Sequence, residues 1–228
     1  MSYYTLGYVL ILVGGILTMM AQRKVQSAYS KYRRVPSSSG LTGYDVARRI
    51  LDLNGLQDVE IRAVGGQLSD HYNPRNKTVN LSQDIYHGHS IASIAVAAHE
   101  CGHAIQHKEG YRSLVLRNTL IPVFNVSQRI GYAVLFLGFI MGEMDMALIG
   151  VFLISAILLF QLLTLPIEFN ASQRALKILD TGMISASEVG GASQMLSAAA
   201  MTYVAAVAAT LLSVLRLLLI VLGRSDRD

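Results

Sequence analysis

Residues 147–165 read ALIGVFLISAILLFQLLTL, a run without a charged side chain. A helix needs about 20 mostly apolar residues to cross the hydrocarbon core of a bilayer, and this run supplies them. The composition agrees. Of 228 residues, 52% are hydrophobic and only 15% charged, whereas soluble domains carry about 25% charged residues. The chain reads as an integral membrane protein, mainly α-helical, with room for one small soluble domain.

Three more segments fit a span. Residues 3–21 carry no charge, residues 120–142 contain Gln128 and Arg129, and residues 198–223 contain Arg216. A charge at mid-bilayer costs at least about 2.5–3.5 kcal/mol, so each arginine has to snorkel or pair. The first segment lacks a basic leader, and QRK follows it directly, so it is expected to be a retained anchor. About four transmembrane helices are predicted. Lys and Arg set their orientation. They cluster from Arg23 to Arg117, while the short GEMDM loop holds Glu143 and Asp145 and no basic residue. Residues 22–119 are therefore expected on the cytoplasmic side of a multi-pass cell-membrane protein. Residues 166–197 return there with Arg174 and Lys177. The net charge of +4 follows this topology and forms no nucleic-acid patch. Cys101 is the only cysteine, so no internal disulfide exists, as suits a cytoplasmic region.

Within the cytoplasmic region, residues 21–34 continue as a basic helix and PSSSG (36–40) reads as a linker. Thr42 is an N-cap candidate for a short helix. Residues 59–63 alternate as a strand would, and residues 67–72 and 77–81 flank the turn Asn73-Pro74-Arg75-Asn76 as a hairpin. Its open edge is one place where an extended substrate backbone could pair; an ordinary surface hairpin is the other reading.

Ser90 then caps a helix over 90–108 that holds His99-Glu100-Cys101-Gly102-His103. Histidines four apart share a helix face and can reach one metal ion. The apolar flanks Ile91, Ile94, Ala95, Ala98 and Ile105 bury this helix, and buried histidine and glutamate need partners. Zinc would lower a water's pKa to about 7, and Glu100, placed beside the ligand face, would take its proton. Cys101 points around the helix from both histidines and reads as a packing residue.

A catalytic zinc takes three protein ligands and leaves one position open. A third histidine ten residues past the first is absent, because that position is Glu109. His107 shares the face of His103, but one straight helix cannot surround an ion. Glu168 fits best. It follows the third apolar run in LPIEFNASQRAL, where Pro166 suits the first turn of a new helix. Other late acids are poorer, since Glu143 and Asp145 fall on the far side and Asp180 and Glu188 lie in a loop-like stretch. His107 and His71 are next in line. His71 and Tyr203 are also weighed as hydrogen-bond donors to a developing oxyanion, against turn-stabilising and membrane-interface roles.

The stretches LSDHYNPRNKTVNLS, SIAVAAHECGHAIQH, LPIEFNASQRAL and AAAMTYVAAVAATLLSVLRLLLIVLG resemble the YugP-type neutral zinc metallopeptidases of bacterial membranes. With the N-terminal segment they cover most of the chain. The late E-x-x-A also resembles the broader HtpX and CaaX-prenyl protease group. The resemblance implies Zn2+ on His99, His103 and Glu168, with Glu100 as base, in a small α+β zincin-like cytoplasmic catalytic domain. It departs at Ser172, where the broader group often has an aspartate supporting a histidine ligand.

The implied function is a membrane zinc endopeptidase that cuts membrane or juxtamembrane proteins at the cytoplasmic face. Its partners would be a protein or peptide substrate and the lipid bilayer, with no nucleic acid, and a membrane quality-control partner is compatible with it. The alternatives are a membrane scaffold or regulator with a structural zinc, and a hydrolase of lipidated peptides. A structural site would need a fourth protein ligand.

Overall fold

The computed structural model describes residues 3–225. It is mostly helical. In chain order run α1 (Tyr3–Tyr32), α2 (Gly43–Leu53), β1 (Glu60–Val64), β2 (His71–Asn73), β3 (Thr78–Ser82), α3 (Gln83–Tyr86), α4 (Ile91–Lys108), α5 (Arg112–Met141), α6 (Met144–Ile178) and α7 (Ala186–Ser225). Among the described residues, α1, α5, α6 and α7 are long and apolar enough to cross a membrane.

These helices run further than the apolar segments alone. α1 carries straight on into the basic stretch, α5 begins at Arg112, and α7 begins at Ala186. No new helix starts at Pro166; α6 passes through it. Proline removes one helical hydrogen bond. One lost bond does not stop a helix whose next turns are held by packing, and Ile167 and Ala171 are fully buried. The chain turns between α6 and α7 at Gly182, whose φ of 105° suits glycine.

The described chain divides into two compact units. One takes the described residues up to Gln22, Leu116–Leu165 and those from Thr202. Its helices meet through small residues. A Cβ on Gly138 or Gly150 would collide with the backbone of Ala147 or Leu135, so α5 and α6 cross at backbone contact. Gly7 lies against the aliphatic stem of Arg216, which is thereby covered by α1. Large apolar side chains such as Phe136 and Phe152 face outward, as a lipid-facing surface requires.

The other unit takes Arg23–Val115 and Pro166–Met201. Its three-stranded sheet has the order β1-β3-β2. β1 runs parallel to β3 with Glu60 opposite Thr78, and β2 runs antiparallel to it with Asn73 opposite Thr78. β3 is buried along its length, and α4 packs on β2, β3 and α2. The first strand of the expected hairpin is short, only His71–Asn73.

Caps start the helices of this unit. Ser90 Oγ accepts from the Ser93 N–H (3.1 Å) at the head of α4. Thr42 and Asp45 form a reciprocal capping box on α2. The PSSSG stretch is tied down. Pro36 bridges to Ser90, and Glu188, in the first turn of α7, accepts from the Ser38 N–H at 2.6 Å and the Ser185 N–H at 2.8 Å.

The capping box makes a testable statement about stability. Thr42 Oγ1 donates to Asp45 Oδ2 at 2.6 Å, and this bond, helped by the Thr42 N–H, holds the Asp45 carboxyl below the usual range. A depressed carboxyl stabilises the fold above the unfolded pKa of about 3.9 and loses that contribution as pH falls through the folded value. Thr42→Ala should therefore cost about 1 kcal/mol at neutral pH. In chemical unfolding, its deficit against the wild type should narrow below about pH 4.

Candidate metal centre

α4 presents His99 and His103 one turn apart, with their rings 4.8 Å between centroids and nearly perpendicular. α6 brings Glu168 to them. One ligand atom from each of the three side chains lies within 4.8 Å of the others. Glu168 Oε2 is 3.4 Å from His99 Nε2 and 3.5 Å from His103 Nε2.

These lengths discriminate between two explanations. Charge-assisted N–H···O bonds run about 2.7–2.9 Å, so both contacts are long for an ion pair. Ligand atoms at about 2.0–2.1 Å from a tetrahedral zinc stand about 3.4 Å apart, and the carboxylate oxygen keeps that distance from both imidazoles. Glu168 Oε2 is also buried with no hydrogen-bond partner. A buried carboxylate oxygen left so is costly, and a cation among the three atoms would satisfy it. The residues present fit zinc.

The opposite edges of the imidazoles are held. His103 Nδ1 meets Gln106 Oε1 at 3.0 Å. Gln106 is fully buried, and its Nε2 donates to Ile167 O and Asn170 Oδ1, both at 2.9 Å. Those two acceptors fix which end of the amide is nitrogen. Oε1 can then only accept, so a proton sits on His103 Nδ1, and in the neutral ring the lone pair is on Nε2. His99 Nδ1 faces Ser172 Oγ at 3.2 Å. Burial works against a charge on His103, but Glu168 and Glu100 beside it hold its pKa above the ordinary value.

The two helices approach closely because Gly102 has no side chain. A Cβ there would stand 2.8 Å from the Ala171 carbonyl oxygen and 3.2 Å from its Cα. Ala171 lies one turn past Glu168, so this contact sets how near the carboxylate comes to the imidazoles.

Glu100 is buried but stands outside the three-ligand group. Its Oε2 accepts from the Tyr72 N–H of edge strand β2 at 2.9 Å. At Tyr72, then, the strand edge is already engaged by Glu100. Cys101 points to α2, with Sγ 3.6 Å from Ala47 O, and burial pushes its thiol far above the ordinary value. It is no ligand.

The remaining candidates lie elsewhere. His107 Nδ1 pairs with Tyr72 Oη at 2.8 Å. His71 is exposed, with Nδ1 2.9 Å from Ser69 O, as a turn-stabilising residue would be. Tyr203 belongs to the other unit. Sequence reasoning missed Gln106 and Gly102. The one signal for Gln106 is its position three residues past His103 on a helix; for Gly102 it is a glycine inside a helical pattern.

The chain matches the family described as "Putative neutral zinc metallopeptidase" over residues 7–222. It is 46% identical over 213 residues to the "Putative membrane protease YugP" of Bacillus subtilis (strain 168), covering 93% of this chain and 95% of that protein. No solved structure matches it.

Gln106 can be tested without any metal. Gln106→Leu leaves the buried His103 Nδ1–H without an acceptor, which should cost about 1–3 kcal/mol. Unfolding of the chelator-treated protein measures it; an unchanged midpoint would mean that the amide carries no such bond.

Proposed function

The chain belongs to this family of zinc metallopeptidases, and we propose that it is a membrane-embedded zinc endopeptidase that cuts membrane or juxtamembrane proteins. In this reading His99, His103 and Glu168 hold Zn2+, and Glu100 is the general base. The observation that carries it is the buried, unpartnered Glu168 oxygen facing two imidazole Nε2 atoms at 3.4 and 3.5 Å.

When bound, zinc supplies the Lewis acidity that brings the pKa of water to about 7 and polarises a carbonyl. The chain's own groups do the rest. Gln106 and Ser172 hold the imidazoles with Nε2 turned to the centre. Tyr72 N–H anchors one oxygen of Glu100 and so fixes the carboxylate. Glu100 takes the proton of the attacking water as the new C–O bond forms. It then passes that proton to the amine as the C–N bond breaks, so the peptide gains one water and the enzyme is restored. A structural zinc site would have four protein ligands; the group among the described residues has three, which favours the catalytic reading.

Residues 23–115 and 166–201 then form a zincin-like catalytic domain on the cytoplasmic side of a multi-pass protein. Support for that side comes from the basic residues between the first two apolar runs and their absence from the GEMDM loop. Support for a membrane-protein substrate comes from Glu168 itself, which stands on α6 three residues past the third apolar run.

Two glutamates separate the roles. Glu100→Gln should keep full zinc occupancy and lose about 10²–10⁴-fold in turnover of a casein-type substrate. Glu168→Gln should lose the zinc itself, by elemental analysis. A Glu100→Gln enzyme of wild-type speed, or a Glu168→Gln protein with full zinc, ends the assignment.

Gly102→Ala tests the geometry without touching a ligand. Its methyl group pushes α6 from α4, so zinc should bind about 10–100-fold more weakly, as when a ligand's supporting contact is lost. Competition with a chelator measures this. Unaltered affinity would show that the helix approach does not set the ligand spacing.

A further inference from the structure

A second polar site lies between α1 and α7. A groove of about 430 Å³ is lined by Lys24, Ser27 and Lys31 from α1, and by Ser193, Gln194 and Ser197 from α7. All belong to the same unit as the metal centre. Neither lysine makes an ion pair with a described residue; Lys31 Nζ stands 4.8 Å over the Tyr32 ring. The three serine hydroxyls have no hydrogen-bond partner among the described residues, and no carboxylate lines the groove. The Tyr32 hydroxyl donates to Gln194 Oε1 at 2.6 Å. That bond leaves both N–H groups of the Gln194 amide free to donate into the groove.

The groove therefore presents six side-chain groups able to donate, two ammonium groups, three hydroxyls and an amide NH2, and no anionic acceptor. That set matches an anion with several acceptor oxygens, such as a phosphate. Its place in the sequence points to the carrier. Lys24 comes three residues after the charge-free run of α1, and Ser197 directly precedes the apolar run of α7. Both helices thus change from apolar to polar at this level, where lipid phosphates lie, and basic pockets between membrane helices bind anionic headgroups.

We propose that this groove binds a phosphate group, carried by an anionic phospholipid headgroup, between Lys24, Lys31 and the serines of α1 and α7. The site is independent of the metal centre and of the proteolytic reading.

The experiment uses the purified full-length protein in neutral detergent. Dioleoyl phosphatidylglycerol or dioleoyl phosphatidylcholine is added, bound lipid is counted by native mass spectrometry, and thermal unfolding is followed. Wild type should bind phosphatidylglycerol and be stabilised by it, and not by phosphatidylcholine. Lys24→Gln with Lys31→Gln should weaken that binding about thirtyfold, about fivefold for each lysine. Ser197→Glu, which puts a carboxylate into the groove, should abolish it. Arg75→Gln, an exposed arginine away from the groove, should change nothing. If millimolar inorganic phosphate displaces phosphatidylglycerol from the wild type, the phosphate group is what the groove recognises. If it does not, yet the lysine variant still loses the lipid, the phosphate is recognised only as part of the whole phospholipid. The proposal fails if the double lysine variant holds phosphatidylglycerol like wild type, if Arg75→Gln loses as much, or if phosphatidylcholine binds equally well.

Discussion

The grouping of His99, His103 and Glu168 depends on one steric constraint, the backbone-to-backbone approach of α4 and α6 at Gly102 and Ala171. Two of the three side chains stand on one helix and the third on another, 65 residues later in the chain. No local rule brings them together. A tetrahedral site tolerates errors of a few tenths of an ångström, and a methyl group is larger than that. The smallest residue on α4 therefore faces one of the smallest on α6, one turn from the carboxylate. Packing decides the distance here, and chemistry follows from it.

A close approach of two helices in a buried region raises a polar problem, because the side chains between them must find partners. Gln106 answers it in both directions. Its nitrogen satisfies a carbonyl and a side-chain oxygen on α6, and its oxygen takes the proton of His103. Asn170 Oδ1 also accepts from Arg174 Nε at 2.8 Å, and Arg174 pairs with Glu109 at 2.7 Å. A chain of bonds thus runs from the His103 imidazole out to solvent. It fixes a tautomer as well as a position.

Much of this was legible beforehand, and for physical reasons. The membrane segments show in hydropathy, and the shared face of His99 and His103 follows from four-residue spacing on a helix. The caps at Thr42 and Ser90 are local chemistry. Elimination among the late acids singled out Glu168, and the fold sets it beside both imidazoles. What stayed hidden depends on tertiary approach. The passage of α6 through Pro166 is set by the packing of Ile167 and Ala171, which overrides a proline signal that is local. Gly102 reads as a neutral gap in a motif until Ala171 is placed against it. The bond from Tyr72 to Glu100 uses a backbone N–H, so no side-chain identity could announce it. PSSSG looked like a free linker because its anchor, Glu188, lies about 150 residues away.

The contrast between the two buried glutamates shows how environment separates roles that composition cannot. Glu100 and Glu168 are nearly equally covered, at 7% and 5% exposure. One oxygen of Glu100 is met by a neutral peptide N–H, which steadies the carboxylate without adding charge. Glu168 Oε2 meets two imidazole Nε2 atoms at distances too long for good hydrogen bonds. One of these, on His103, is a lone pair whenever the ring is neutral, because Gln106 holds the Nδ1 proton. Lone pairs facing a carboxylate oxygen repel unless a proton or a cation stands between them. The same side chain thus meets a backbone strand edge in one place and two imidazoles in the other, and in the proposed reading this difference makes Glu100 the base and Glu168 the metal ligand.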